Sequence, residues 1–123
     1  MKGKIDQLEA RIELTIAGHN NESVSLACVI DTGFTGSLTL SQTIIHELDL
    51  PLVGKRQVML GDGSIANLSV YNAKVMWHGS WKNVLVLGVD GDTLLGISLL
   101  MGSRIALDVI DGGLVSIDPI PKG

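Results

Sequence analysis

Val29-Ile30-Asp31-Thr32-Gly33-Phe34-Thr35-Gly36-Ser37-Leu38 is the stretch on which the reading of this chain turns. Ala27 to Ile30 is continuously apolar, then the run stops at an acid and opens into a loop with two glycines and two threonines. An apolar run of that length predicts a strand covered on both faces. A carboxylate at the end of such a strand is held firmly enough for acid–base work if a partner tunes its proton affinity. Gly33 permits a tight turn behind the acid and leaves room for a second backbone to come close. Thr32 and Thr35 supply hydroxyls that can fix the loop and the carboxylate. On its own, Asp31-Thr32-Gly33 fits a plain turn equally well, because short motifs recur by chance.

Outward from that loop the chain is punctuated like a β-protein. Ile12, Leu14 and Ile16 alternate along Arg11 to Ala17, the pattern of a half-buried strand. His19-Asn20-Asn21 carries turn chemistry, and Ser23 to Leu26 alternates again before the apolar run. Ser37 to Leu40 predicts a short strand, and Ser41 is placed to cap a short helix reaching about Leu48. Gln57 to Leu60 and Ile65 to Val70 predict a hairpin with Gly61-Asp62-Gly63-Ser64 at its tip. A second hairpin is expected from Lys74 to Trp77 and Lys82 to Leu87 around His78-Gly79-Ser80. Leu94-Leu95-Gly96 leads into a short helix, Ile97 to Met101. Arg104 to Val109 and Leu114 to Ile117 predict two strands joined at Asp111-Gly112-Gly113. Residues 1–10 suit a flexible arm or a short edge strand.

Composition agrees. Apolar residues make up 46% of 123 positions but aromatics only 3%, so the core must be built from Val, Ile and Leu, which favour strands. Fifteen glycines against three prolines indicate many tight turns rather than a linker. One all-β domain spanning residues 1–123 is expected. The formal net charge of −4, with no cluster of Lys or Arg, argues against nucleic acid or an anionic membrane as partner. The start of the chain carries no secretory pattern, and the apolar stretch Val84 to Met101 is broken by Asp90 and Asp92, so a cytoplasmic protein is expected. Cys28 is the lone cysteine, which excludes an internal disulfide and a cysteine-based zinc site.

The ten residues from Val29 to Leu38 resemble the active-site segment of retropepsin-like aspartic peptidases: an apolar pair, Asp-Thr-Gly, one variable residue, Ser or Thr, then Gly. Thr93-Leu94-Leu95-Gly96-Ile97-Ser98-Leu99-Leu100 resembles the second signature of that family, and Gly61-Asp62-Gly63-Ser64 stands where the family places its flap. The resemblance covers most of residues 11–117. It implies a closed, β-barrel-like retropepsin fold with one or two short helices, and an active site lying across a two-fold axis. It implies catalytic roles for Asp31, Thr32 and Gly33, substrate contacts from Gly61, Asp62, Gly63 and Ser64, and neither metal nor organic cofactor. Two carboxylates about 3 Å apart resist double ionisation, so one can serve as acid and the other as base.

The motif occurs once, whereas bilobal relatives carry it twice in a longer chain. A C2 homodimer would supply the second aspartate most simply. Thr32 would, by the same resemblance, hydrogen-bond across the axis. Peptide or protein is the implied substrate, entering in extended form. Two departures stand out: Asp62 and Ser64 replace the apolar tip of viral flaps, and Ile97-Ser98 stand where retroviral relatives usually have an arginine. Asp62 is open to two readings, a solvated turn residue or a carboxylate that favours basic substrates and shifts the titration of the dyad.

The remaining reactive residues carry less. His19, His46 and His78 lie apart with no convergent partners for a nucleophile or metal. Asp90-Gly91-Asp92 matches part of a calcium loop but lacks the further ligands. Cys28 reads as a small buried hydrophobe, and Trp77 and Trp81, flanking a turn, as cross-strand packing residues, with a place near a substrate groove as the alternative. Two functions from different classes follow: a dimeric endopeptidase, or a dimer of the same fold that binds peptide without cutting it.

Overall fold

The computed structural model describes residues 1–59 and 62–122. In chain order it comprises β1 (Lys2–Asp6), β2 (Glu9–Ala17), β3 (Ser23–Ile30), β4 (Leu38–Leu40), α1 (Gln42–Glu47) and β5 (Leu52–Met59). There follow β6 (Ile65–Trp77), β7 (Ser80–Gly88), β8 (Leu94–Leu95), α2 (Ile97–Leu100), β9 (Ser103–Leu107) and β10 (Leu114–Pro119). The strands join one sheet in the order β5-β6-β7-β4-β8-β3-β2-β1-β10-β9. A further pairing, Ile16 with Val75 and Ala17 with Lys74, links β2 back to β6. The hydrogen-bonded circuit β2-β6-β7-β4-β8-β3 therefore returns to its starting strand.

The alternation in β2 sends Ile12, Leu14 and Ile16 into the core, all at most 2% exposed, while Glu13 faces solvent. Opposite them Ala73, Val75 and Trp77 of β6 are buried, as are Val84 and Val86 of β7. In β3 the pattern changes at Cys28 and Val29, which are buried in succession, so both faces of the strand are covered there. Burial of these aliphatic chains, each contributing roughly 1.5–3 kcal/mol relative to exposure, is what holds the circuit together.

Local signals set the connections. Ser41 caps α1 by accepting from the Ile44 amide at 3.4 Å, and the helix buries Ile45, with Leu48 just beyond its last turn. His78 and Gly79, with φ of 50° and 84°, both take the left-handed conformation that a two-residue hairpin turn requires between Trp77 and Ser80. The result is one long strand, β6, shared by both hairpins.

Two expectations change. Residues 2–6 form neither a flexible arm nor an edge strand: β1 lies between β2 and β10, with Gly3 opposite both Ile12 and Val115. A Cβ on Gly3 would collide with the Arg11 carbonyl, so the close approach of β1 and β2 depends on that glycine. The strand expected to run to Val109 stops at Leu107, and Val109 and Ile110 lie in an exposed loop, 76% and 69% accessible. The last strand, β10, pairs with β9 as far as Pro119, which occupies the final paired position. Among the described residues, no helix is long and apolar enough to cross a membrane.

Candidate active site

The loop that follows β3 is held by a strand from far along the chain. β8 inserts between β3 and β4, parallel to the first through Val29–Leu94 and Ile30–Leu95, and antiparallel to the second through Leu38–Leu95. The amides of Val29 and Asp31 donate to the carbonyls of Thr93 and Leu95 at 2.8 and 2.9 Å, and Gly96 donates to Ser37 at 2.9 Å. The two sequence signatures thus form one hydrogen-bonded unit.

The same loop caps α2. The Ile97 amide donates to the Phe34 carbonyl at 2.8 Å and the Ser98 amide to that of Gly36 at 3.2 Å, while the Ser98 hydroxyl donates to the Thr35 carbonyl. Amides at the start of a helix lack partners within it, so the loop and the helix satisfy each other. Behind them Thr39, buried in β4, accepts from the Leu94 amide at 2.8 Å and donates to the Asp92 carbonyl at 3.4 Å. That hydroxyl ties the two strands across a gap of more than fifty residues in sequence.

Asp31 is half-buried at the head of this unit. Its Oδ1 accepts from the Gly33 amide at 2.9 Å and its carbonyl from the Phe34 amide at 3.1 Å, which turns the chain sharply and aims the carboxylate. A Cβ on Gly33 would stand 3.3 Å from that same Oδ1, so a side chain there would press on the carboxylate. Thr32 and Gly33 are exposed beside it. The arrangement offers a rigid, accessible carboxylate with Oδ2 left to other partners.

A cavity of about 400 Å³ opens beside the loop, lined by Gly33, Phe34 and Thr35 on one side and by Arg56, Val58 and Met59 of β5 on the other. The structure thus brings Gly33 together with the strand leading into the hairpin tip. Asp62, Gly63 and Ser64 are exposed and do not line this cavity, and Gly61 lies outside the described residues. The Asp62 carboxylate accepts from the amide and hydroxyl of Ser64, which lowers its pKa from the ordinary value. Sequence reasoning passed over Arg56, Val58 and Met59. For Arg56 and Val58 the signal was their alternate position on a strand running up to the tip, which places both on one face; Met59 carried none.

The other reactive residues stay apart. The Cys28 thiol is buried and its pKa is pushed up to about 12 by desolvation, which leaves it without nucleophilic character. His19 and His46 are exposed, whereas His78 bonds through Nε2 to the Ser103 hydroxyl at 2.8 Å. Asp90 accepts from the Gln42 amide at 3.3 Å, supporting the start of α1. Trp77 is a core residue in tilted contact with His78, and Trp81 is exposed with the Lys74 ammonium above its ring. Among the described residues, no group of three His, Cys, Asp or Glu side chains is placed to hold a metal ion.

No protein-family model matches the sequence, and no curated protein matches it either. Comparison of folds gives a different answer. The crystal structure of a retropepsin-like aspartic protease from Rickettsia conorii superposes over 98% of this chain and 91% of its own, with a TM-score of 0.61 and 16% sequence identity. The ordered pairing of the two signatures and this superposition agree that the chain has the retropepsin-like fold.

Proposed function

We propose that the chain is an aspartic endopeptidase acting as a C2 homodimer, with Asp31 of each subunit forming the catalytic dyad. One observation carries the reading: the Asp31 carboxylate is half-exposed, fixed by the Gly33 amide, and mounted beside a cavity shared with the hairpin strand β5. A single carboxylate cannot be acid and base at once, so a second copy completes the site. The subunit's circuit of paired strands is then its barrel-like body, and residues 1–123 its single domain.

In this mechanism one Asp31 carboxylate takes a proton from a water held between the two. The water oxygen attacks the peptide carbonyl while the protonated partner carboxyl hydrogen-bonds the developing oxyanion. Collapse of the tetrahedral intermediate breaks the C–N bond, and a proton passed to nitrogen releases the amine. Gly33 keeps the loop close-set, Thr32 hydrogen-bonds across the axis, and Asp62, Gly63 and Ser64 contact the peptide from the flap. The chemistry needs no metal or organic cofactor, and the expected setting is the cytoplasm.

The test is cleavage of an extended-peptide library between acid and neutral pH, wild type beside Asp31→Asn, with dimer mass measured on the same samples. The substitution is expected to lower cleavage by more than about a thousandfold while the dimer survives, since it removes the general base. A well-folded dimer that cuts nothing at any pH would favour a peptide-binding module instead.

A further inference from the structure

We infer that the groove beside the Asp31 loop selects peptides bearing an acidic side chain, which it holds between Arg56 and Lys82. The inference rests on reading that groove as a peptide site.

Arg56 lies at the junction of two cavities. One is the space of about 400 Å³ bounded by Gly33 to Thr35. The other, about 230 Å³, continues past Gly36 and Ser37 to β7 and α2, with Lys82 also in its wall. Arg56 and Leu87 line both, so the two spaces adjoin. On β5, Arg56 shares a face with Val58, and both reach the cavity that holds the Asp31 loop. Lys82 enters the second cavity from β7, next to Asn83 in its wall.

The charge pattern is one-sided. The chain carries a net charge of −4, yet neither cavity has an Asp or Glu in its wall. Arg56 and Lys82 make no ion pair among the described residues, where the one salt bridge joins Arg11 to Glu9. Two unneutralised cations facing one space in an acidic protein favour a carboxylate there and repel a basic side chain. The arginine fork can bind a carboxylate through two parallel hydrogen bonds, and the lysine adds a point charge. Asp62 lies outside both cavity walls, so the charges in the walls themselves are the two cations.

An extended peptide threading past Asp31 changes facing with each residue. The favoured acid therefore occupies one defined position in each half of the peptide, displaced from the scissile bond toward Ser37 and β7, the two being related by the two-fold axis. That makes the preference positional, unlike a general attraction to negative charge.

The probes are fluorescein-labelled ten-residue peptides, identical except that Glu, Gln or Lys is placed at each position in turn. Binding to the Asp31→Asn protein is read by fluorescence anisotropy, and cleavage by wild type is followed in parallel. At the position assigned to the acid, on either side of the scissile bond, Glu is expected to bind on the order of tenfold tighter than Gln, with Lys weakest, and the gap to narrow as salt rises. Arg56→Glu combined with Lys82→Glu should reverse the order of Glu and Lys at that position. Arg56→Gln and Lys82→Gln, milder changes, should each shrink the gap. Equal binding of Glu and Gln peptides everywhere, a preference for Lys, or a Glu preference that survives the double charge reversal would overturn the inference. Absence of any binding to the folded protein would overturn it as well. Cleavage with no acidic preference removes this inference and leaves the peptidase standing. Acidic preference in binding without cleavage does the opposite.

Discussion

The α-carbon of Gly96 packs so closely against the Gly36 carbonyl oxygen that a Cβ at residue 96 would fall well inside van der Waals contact. The same added atom would come within 2.8 Å of the Phe34 carbonyl. Both carbonyls accept from the first amides of α2, so neither can retreat without breaking a hydrogen bond. Gly96→Ala is therefore expected to destabilise the fold by about 3 kcal/mol, the upper part of the range for an overpacked site. Urea denaturation measures this as a lower midpoint at unchanged slope. A midpoint equal to wild type would mean that the loop and helix separate easily.

Thr39 makes a second prediction. Replacing it with valine keeps the shape but leaves the Leu94 amide without its acceptor in a buried setting. The expected cost is about 1–3 kcal/mol, the penalty for an orphaned buried donor. Hydrogen exchange at Leu94 should accelerate by the corresponding factor, while Thr43→Val on the exposed side of α1 should shift stability by less than about 0.5 kcal/mol.

His78 gives the fold a pH dependence. Burial first, and then the nearby N-terminal ammonium, lower its pKa from the ordinary 6.5. The folded state thus binds this proton more weakly than the unfolded chain. Stability from this residue is fully present above pH 6.5 and is lost as pH falls through the unfolded and then the folded pKa. His78→Asn suits the left-handed turn position and removes the titration. Thermal melts from about pH 7.5 down to 5.5 should show wild type losing ground against the variant, by less than ~1 kcal/mol because solvent screens the half-buried ring. Parallel curves for the two proteins would assign the acid sensitivity elsewhere.

What could be read from sequence follows the range of the forces involved. The Ser41 cap, the His78-Gly79 turn and the alternation of Ile12, Leu14 and Ile16 are local, and the residues announce them. The short helix after Gly96 was also foreseeable, although the loop that caps it lies some sixty residues earlier. The insertion of β8 between β3 and β4 has no local signal, because two residues, Leu94 and Leu95, cannot display a period. The interior position of β1 depends on Gly3 meeting Arg11 backbone to backbone, which periodicity does not report. Val109 and Ile110 look like strand residues and are not, since Gly113 folds tightly under the Asp108 carbonyl and takes the chain into a loop. At the candidate site, the motif singles out Asp31 in the sequence, whereas Arg56 has no such motif and comes into view only with β5 placed against the loop.

The most direct measurement of the shared dyad is subunit mixing. Wild-type protein is unfolded and refolded together with a ninefold excess of Asp31→Asn, and peptide cleavage is compared with the same amount of wild type refolded alone. If each site needs Asp31 from both subunits, random pairing leaves wild-type pairs scarce and activity drops to about a tenth. Activity that stays at the level of the wild-type protein alone would mean that one Asp31 suffices, and would contradict the dyad.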